Sequence, residues 1–301
     1  MMWATSLLLL LGSSATVVGQ IVQLHGSGTT NPSKCYWHIM DTFHQQSKLP
    51  IRMTYRAVGS GTGQKEFIGA GIKGVDNATG TLPDNDFGSG DIPISSSDYQ
   101  TLKDNGVDVL HFPIVAGSIS FFHSVPTGNA PLNLTACNLA KIFKQSITDW
   151  NDQEIKDVNP NLNLPDPSPI RIAHRKLGSS STASITEYLN VACPSEWPED
   201  MVGKVVDWPA DSDTVATCQG SGGMTQCITE KSGTIGYIDS GHGHSVEPEL
   251  AEVHLANKDN TFLSSKQAAE NGGIISALNN ANIPTSLDGN FGDVSLLNQV
   301  L

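Results

Sequence analysis

Charge is scarce in this 301-residue sequence, and positive charge is scarcest. Charged residues make up 16% of the chain, and 17 Lys and Arg stand against 30 Asp and Glu, for a formal net charge of −13. A field of that sign repels polyanions, which argues against nucleic acid or an anionic membrane surface as a partner of the whole chain. Any anion the protein binds must be held by local donors. Aromatic residues are few, at 6%, while Gly numbers 29, a balance that points to many short loops between modest elements. The cysteines, Cys35, Cys137, Cys193, Cys218 and Cys227, include no C-x-x-C pair, so no structural zinc site is expected. Beyond the N-terminus no run approaches the ~18 apolar residues that a bilayer span needs. The Gly-Lys-Ser/Thr loop of NTPases is missing, and so is the Gly-x-Ser-x-Gly elbow that would present a hydrolase nucleophile.

Other features carry positive information. The opening MMWATSLLLLLGSSATVVGQ has an apolar run at Leu7–Leu11 and small residues at Val17 and Gly19. Residues 1–19 therefore read as an export signal, although the usual basic residue ahead of the run is absent. Export fits two glycosylation sequons, Asn77-Ala-Thr79 and Asn133-Leu-Thr135, and permits disulfides. Cys218 and Cys227 flank a Gly-rich stretch that could bend back to pair them; Cys137 with Cys193 is a second candidate bridge, leaving Cys35 free. Spacing alone does not fix that connectivity.

A strand–helix rhythm runs along the chain. QIVQL, IRMTYRAV, DFGSGD and PIRIAH read as strands, and VLHFPIVAGSISFFH as a long apolar strand region broken at Pro113 and Gly117. Helices follow at Tyr36–Phe43, KEFIGAGI, SSSDYQTLKDNG, NLTACNLAKIFK and DQEIKDVN. The alternation predicts α/β architecture with mainly parallel sheets. The length suits one large domain or two medium ones.

Four turns share a design, in which a strand runs into glycines and hydroxyl residues and then into a helix or capped segment. They are Gly26-Ser27-Gly28-Thr29-Thr30, Gly59-Ser60-Gly61-Thr62-Gly63, Gly88-Ser89-Gly90-Asp91 and Gly178-Ser179-Ser180-Ser181-Thr182, the last preceded by Arg175. A helix N-terminus exposes unpaired N–H groups and about half a positive charge. One such turn is ordinarily a cap. Four in one chain, with an arginine beside one of them, point to an oxyanion site. Asp91 sharpens the reading, because a carboxylate suits an anion only if that anion still carries a proton to donate. The bland alternatives for Asp91 are a helix cap and a surface turn acid. Gly69-x-Gly71-x-x-Gly74 resembles a dinucleotide fingerprint but follows a helical stretch, not the strand it requires. His242-x-His244 in a Gly-rich turn is weighed as a metal site and set aside. Trp150 and Tyr36-Trp37 read as packing residues.

The ordered segments HGSGTTNP, YRAVGSGTGQKEFI, DFGSGDIPIS, HFPIVAGSISF, LAKIFKQSITDWNDQEIKDVNPNLNLP, IRIAHRKLGSSST and TIGYIDSGHG resemble the phosphate-binding proteins of phosphate-specific ABC transporters. The resemblance runs from about Gln20 to Tyr237 and more weakly beyond. It implies an α/β, two-lobed periplasmic-binding-protein-like fold of class II type, with two hinge crossings and the ligand between the lobes. Residues 20–113 plus 238–301 would form lobe I and 114–237 lobe II. It further implies phosphate contacts from Thr30, the Asn31 backbone, Ser60, Asp91, Arg175, Ser179, Ser180 and Ser181, with Asp91 accepting the phosphate proton. The expected ligand is inorganic phosphate, with a membrane phosphate transporter as possible partner. No cofactor, metal, catalytic group or nucleic acid is expected, and the protein should be a monomer in an extracellular or periplasm-like compartment. Departures from the family's pattern are Asn31 where an aromatic is common, Leu177 where an acid often stands beside the arginine, and Ser180 and Ser181 for Gly and Thr. Family members usually continue past this chain's last residue, so a fragment is expected. The competing readings are a secreted phosphate-ester hydrolase and a ligand-free adhesion or interaction relative.

Overall fold

The computed structural model describes residues 21–69, 85–128, 130–246, 250–280 and 283–292. The expected signal segment, the Asn77 sequon, most of the Gly69-x-Gly71-x-x-Gly74 match and residues 293–301 lie outside them.

The first lobe begins with β1 (Val22–Gly28), α1 (Ser33–Gln46), β2 (Ile51–Ala57), α2 (Ser60–Gly69), β3 (Phe87–Ser89) and α3 (Ser96–Asp104). Its three strands pair in the order β2-β1-β3, all parallel, with Val22–Gly28 in register against Ile51–Ala57. Pro32 occupies the cap position of α1, where a missing N–H costs nothing. Ser95 caps α3 by accepting a hydrogen bond from the Asp98 N–H. The buried apolar cluster here is small, comprising Ile68, Ile94, Leu102 and Val109 with Phe67 and Tyr99 against it.

The second lobe is larger. It contains β4 (Ile119–His123), β5 (Leu132–Leu134), α4 (Ala136–Phe143), α5 (Gln153–Val158), β6 (Arg171–Arg175), α6 (Ser180–Ala192), β7 (Val215–Cys218), α7 (Gly220–Glu230) and β8 (Thr234–Asp239), then α8 (Ser240–Gly243), β9 (Ala251–Ala256), β10 (Phe262–Leu263), α9 (Ser265–Glu270) and α10 (Gly273–Asn280). The strand order is β10-β9-β4-β8-β6-β7, with β5 beside β9. Phe121, Phe122, Phe143, Trp150, Trp197 and Tyr237 are at most 1% exposed and fill its core. Trp150 is thus a packing residue, its indole N–H donating to the Gly233 carbonyl. Trp37 is half-exposed, tied to the Tyr55 carbonyl.

Two expectations need correction. The larger sheet is mixed: β6 runs parallel to β7 and β8, but β4 is antiparallel to both β8 and β9. Parallel neighbours need a crossover, which α6 and α7 supply, whereas β4 enters the sheet without one. The long apolar run forms a strand only at Ile119–His123. Residues 107–118 have no regular structure because no described strand lies beside them, and Phe112 and Ile114 are more than 60% exposed. The described residues after β8 pack in two places. Strands β9 and β10 pair in the second sheet, whereas residues 283–292 pack on the first lobe, where the Tyr99 hydroxyl donates to the Asp288 carbonyl, the His111 N–H donates to the Leu287 carbonyl and Phe291 stacks on His111.

Both candidate disulfides are present. Cys137–Cys193 ties α4 to the residue after α6, Cys218–Cys227 ties the end of β7 to α7, and Cys35 is free and exposed. The sequon Asn133 sits in β5, its side-chain amide donating to the Val158 carbonyl. The bridges close loops with sequence separations of 56 and 9 residues. Chain-entropy reasoning assigns them about 4 and about 2.5 kcal/mol respectively. Replacing both Cys137 and Cys193 by Ala is therefore expected to destabilise the protein more than the same change at Cys218 and Cys227, as read by denaturant unfolding of the oxidised proteins.

Candidate functional site

The site lies where four strand-to-helix turns meet, two from each lobe: β1 into α1, β2 into α2, β6 into α6, and β7 into α7. In open α/β sheets the carboxyl ends of parallel strands are where crevices form. Contacts between the turns show the convergence. Ser60 Oγ lies 2.9 Å from Ser180 Oγ, Thr30 Oγ1 lies 3.0 Å from Ser221 Oγ, and Asn31 Nδ2 donates to Ser181 Oγ at 3.3 Å. Each of the helices has at least ten residues, so each directs a positive dipole end at the meeting point. Glycine makes the approach possible. Gly59 has φ 99°, a setting L side chains avoid, and a Cβ on Gly61 would lie 3.1 Å from the Gly178 carbonyl oxygen of the other lobe.

Asp91 gathers the donors. Its Oδ2 accepts from Thr29 Oγ1 at 2.6 Å, Asn31 Nδ2 at 3.1 Å, Ser60 Oγ at 3.2 Å and the Ser180 hydroxyl. The residue is exposed at the rim of the cleft, whereas Thr29, Ser60 and Ser180 are buried. Asp91 is therefore not a helix cap but the acceptor shared by both lobes. Ser179 plays another part: it caps α6, its Oγ accepting from the Ser181 N–H and its own N–H donating to the Lys204 carbonyl. The Asn31 N–H, expected to face a ligand, donates to Thr29 Oγ1 at 3.2 Å, and the side chain spans the cleft instead.

Arg175 ends β6 and is 7% exposed, with its backbone N–H donating to the Tyr237 hydroxyl. Its Nε is buried and has no hydrogen-bond partner. Burial lowers the guanidinium pKa, while Tyr237, Asp91 and Asp239 pull it back up. Leu177, where the resemblance leads one to look for an acid, is partly exposed. The arrangement is thus a buried cation with an unused donor, flanked by hydroxyls and helix N-termini, which is what an oxyanion needs.

A family model described as a PBP superfamily domain matches residues 13–299. The chain belongs to the PBP superfamily. It is 29% identical over 225 residues to "Phosphate-binding protein PstS" of Methanocaldococcus jannaschii, covering 73% of this chain and 54% of that one. It is 26% identical over 235 residues to "Alkaline phosphatase L" of Pseudomonas aeruginosa, covering 76% of this chain and 59% of that one. The chain thus spans little more than half the length of those two curated relatives. Among solved structures it resembles a high affinity periplasmic phosphate-binding protein, PfluDING, bound with phosphate, at a TM-score of 0.64 and 19% identity over 87% of this chain and 68% of that one. That likeness shows the fold, the two-lobed form of the PBP superfamily.

The sequence residues Thr30, Asn31, Ser60, Asp91, Arg175, Ser179, Ser180 and Ser181 all come together in this superfamily cleft. Three further residues were missed. Thr29 was visible within a recognised turn. Ser221 opens α7 after Gly220, in the same strand–glycine–serine–helix design, but the flanking cysteines make that stretch point to a disulfide loop. Asp239 carried no sequence signal beyond ending a strand. Its Oδ1 accepts from the His242 N–H at 2.7 Å and its Oδ2 from Ser221 Oγ at 3.3 Å. Burial pushes its carboxyl up to about 6; the His242 and Ser221 hydrogen bonds oppose that rise and the charge of Asp91 adds to it. His244 pairs with Glu252 at 3.1 Å, and among the described residues no group of three or more His, Cys, Asp or Glu is placed to hold a metal.

Because Asp91 satisfies buried hydroxyls from both lobes, Asp91→Ala leaves donors without an acceptor. The expected loss is about 1–3 kcal/mol of unfolding free energy in phosphate-free buffer, read by urea denaturation at neutral pH.

Proposed function

We propose that the chain binds inorganic phosphate in the cleft, as the capture component of an uptake system or as a soluble scavenger. The carrying observation is Arg175, a buried guanidinium with an unpartnered Nε at the convergence of four helix N-termini. The curated relative from M. jannaschii bears a phosphate-binding name, which supports the same ligand. In this reading Arg175 and the hydroxyls of Thr30, Ser60, Ser180 and Ser181 donate to phosphate oxygens, Ser179 holds the α6 turn in shape, and Asp91 accepts the remaining phosphate proton. The protein acts without catalysis, as a monomer, in an extracellular or periplasm-like compartment, and its partner is a membrane phosphate transporter. The lobes are residues 20–113 with the returning tail, and residues 114 to about 280.

Asp91 supplies the choice of phosphate over sulfate. The two anions match in size and shape and differ in one hydrogen at neutral pH. Hydrogen phosphate can donate to the carboxylate, whereas sulfate would set a lone pair against it. Sites that depend on a single polar group can discriminate by ~10⁴–10⁵. The wild-type protein is expected to bind phosphate and ignore sulfate, and Asp91→Asn to gain measurable sulfate affinity while staying folded. Competition titrations at neutral pH check this; equal competition by sulfate against both forms removes Asp91 from the site. Arg175→Ala is expected to weaken phosphate binding about tenfold to a hundredfold, the value of a charge-assisted bond of ~1.5–3 kcal/mol. Surface screening acts over about 8 Å at physiological ionic strength, so affinity should depend only weakly on salt, and a steep logarithmic salt slope in calorimetry would contradict an enclosed site.

The second reading is a phosphate-ester hydrolase, favoured by the relative from P. aeruginosa named as a phosphatase. Turnover of p-nitrophenyl phosphate by the purified protein, abolished by Ser180→Ala, would establish it in place of pure binding.

A further inference from the structure

The second carboxylate of the cleft, Asp239, lies one hydroxyl away from the expected anion contacts, at the end of β8. Ser221 has a single hydroxyl hydrogen and three acceptors within reach: Asp239 Oδ2 at 3.3 Å, Asn31 Oδ1 at 3.3 Å and Thr30 Oγ1 at 3.0 Å. The Ser221 N–H also donates to Thr30 Oγ1 at 3.3 Å, which leaves the Thr30 hydroxyl hydrogen to go either to Ser221 Oγ or to a ligand. The direction of this chain depends on the state of Asp239. An ionised Asp239 draws the Ser221 hydrogen, because charged acceptors make the stronger bonds, and Ser221 Oγ then offers Thr30 a lone pair. A protonated Asp239 donates to Ser221 Oγ, Ser221 turns its hydrogen to Thr30 or Asn31, and the Thr30 hydrogen is released toward the cleft.

We propose that Asp239, acting through Ser221, is a positioning residue that makes anion binding depend on pH: protonated, it turns the Ser221–Thr30 hydroxyls toward the ligand; ionised, it draws them back. The inference rests on the phosphate reading above. Removing the negative charge of Asp239 acts in the same direction as the hydroxyl chain, since that charge adjoins the site of a bound anion. Other charged and titratable groups face it. Arg175 on β6 favours the ionised form and Asp91, after β3, opposes it. The first turn of α7 carries no acid. His242 on α8 gives its backbone N–H, and burial lowers its imidazole pKa, with Lys34 of α1 adding to that.

The sign follows from linkage. Burial pushes the Asp239 carboxyl up to about 6 in the folded protein. If the anion prefers the protonated form, binding must raise that pKa, and affinity must rise as pH falls through about 6, tenfold for each unit of the rise. Phosphate's own ionisation affects every variant alike and cancels in ratios.

The test is calorimetry with inorganic phosphate from pH 5 to 8 on the wild type, Asp239→Asn, Ser221→Ala and Ser221→Thr. At pH 5 the wild type and Asp239→Asn should bind alike, and at pH 8 the variant should bind about tenfold tighter. A ratio that stays constant with pH overturns the proposal. Ser221→Ala should reduce the wild-type response to the part that the Asp239 charge gives directly, and Ser221→Thr should restore it; a full response in Ser221→Ala means that Asp239 acts by charge alone and overturns the relay. Should Asp239→Asn fail to fold, the wild type carries the test. Its Asp239 carboxyl resonance should titrate about one unit higher with saturating phosphate than without, and an unmoved midpoint overturns the proposal. Absence of phosphate binding by the wild type at every pH overturns the proposed function instead.

Discussion

A buried positive charge in a negatively charged chain governs the cleft. Removing a guanidinium from water costs several kcal/mol unless other groups replace the lost solvation. Arg175 is only 7% exposed and its Nε has no partner. Tyr237 and, at some remove, two carboxylates share the compensation, Asp91 from one lobe and Asp239 from the other. Neither closes an ion pair on the arginine, so the cation keeps donor capacity. Four helix N-termini add further positive potential. The site as a whole is therefore short of negative charge, inside a protein that has an excess of it.

The lobes contribute unequally. The second lobe holds most of the core aromatics, both disulfides and the larger sheet. It fixes Arg175, Ser179–Ser181, Ser221 and Asp239 on the ends of neighbouring strands β6, β7 and β8. The first lobe has a small apolar cluster and three strands, and carries Thr29, Thr30, Asn31, Ser60 and Asp91. The lobes meet through hydroxyl pairs, the Ser180–Asp91 and Asn31 hydrogen bonds, the close approach of Gly61 to Gly178, and Lys204 Nζ donating to Gln64 Oε1 at 2.6 Å. Polar contacts of this kind exchange readily with water, so the two lobes are not sealed together by an apolar seam.

Asn31 shows how the site departs from a simple donor list. Its carboxamide donates to Asp91 and Ser181 and accepts from Ser221, bridging the acceptor of one lobe to two helix starts of the other. An aromatic residue at that position could keep the backbone but could not make those bonds.

The sequence by itself determined the strand–glycine–hydroxyl–helix turns, the arginine before the serine run and the identity of Asp91, because turn chemistry and helix starts are local properties written in consecutive residues. It also determined β1, β2 and β6 and the helix α1, whose apolar spacing is equally local, whereas Ser60–Gln64, which reads as a turn, already belongs to α2. Only the tertiary structure decided which strands are neighbours. The mixed larger sheet, the missing strand at 107–118 and the joining of β9 and β10 to the second lobe all depend on partners distant in sequence. The same holds for Asp239, which is an unremarkable strand-ending acid until β8 brings it to Ser221 and the cleft. Its role comes from burial and from charges on other elements, and neither is carried by the residues beside it in the chain.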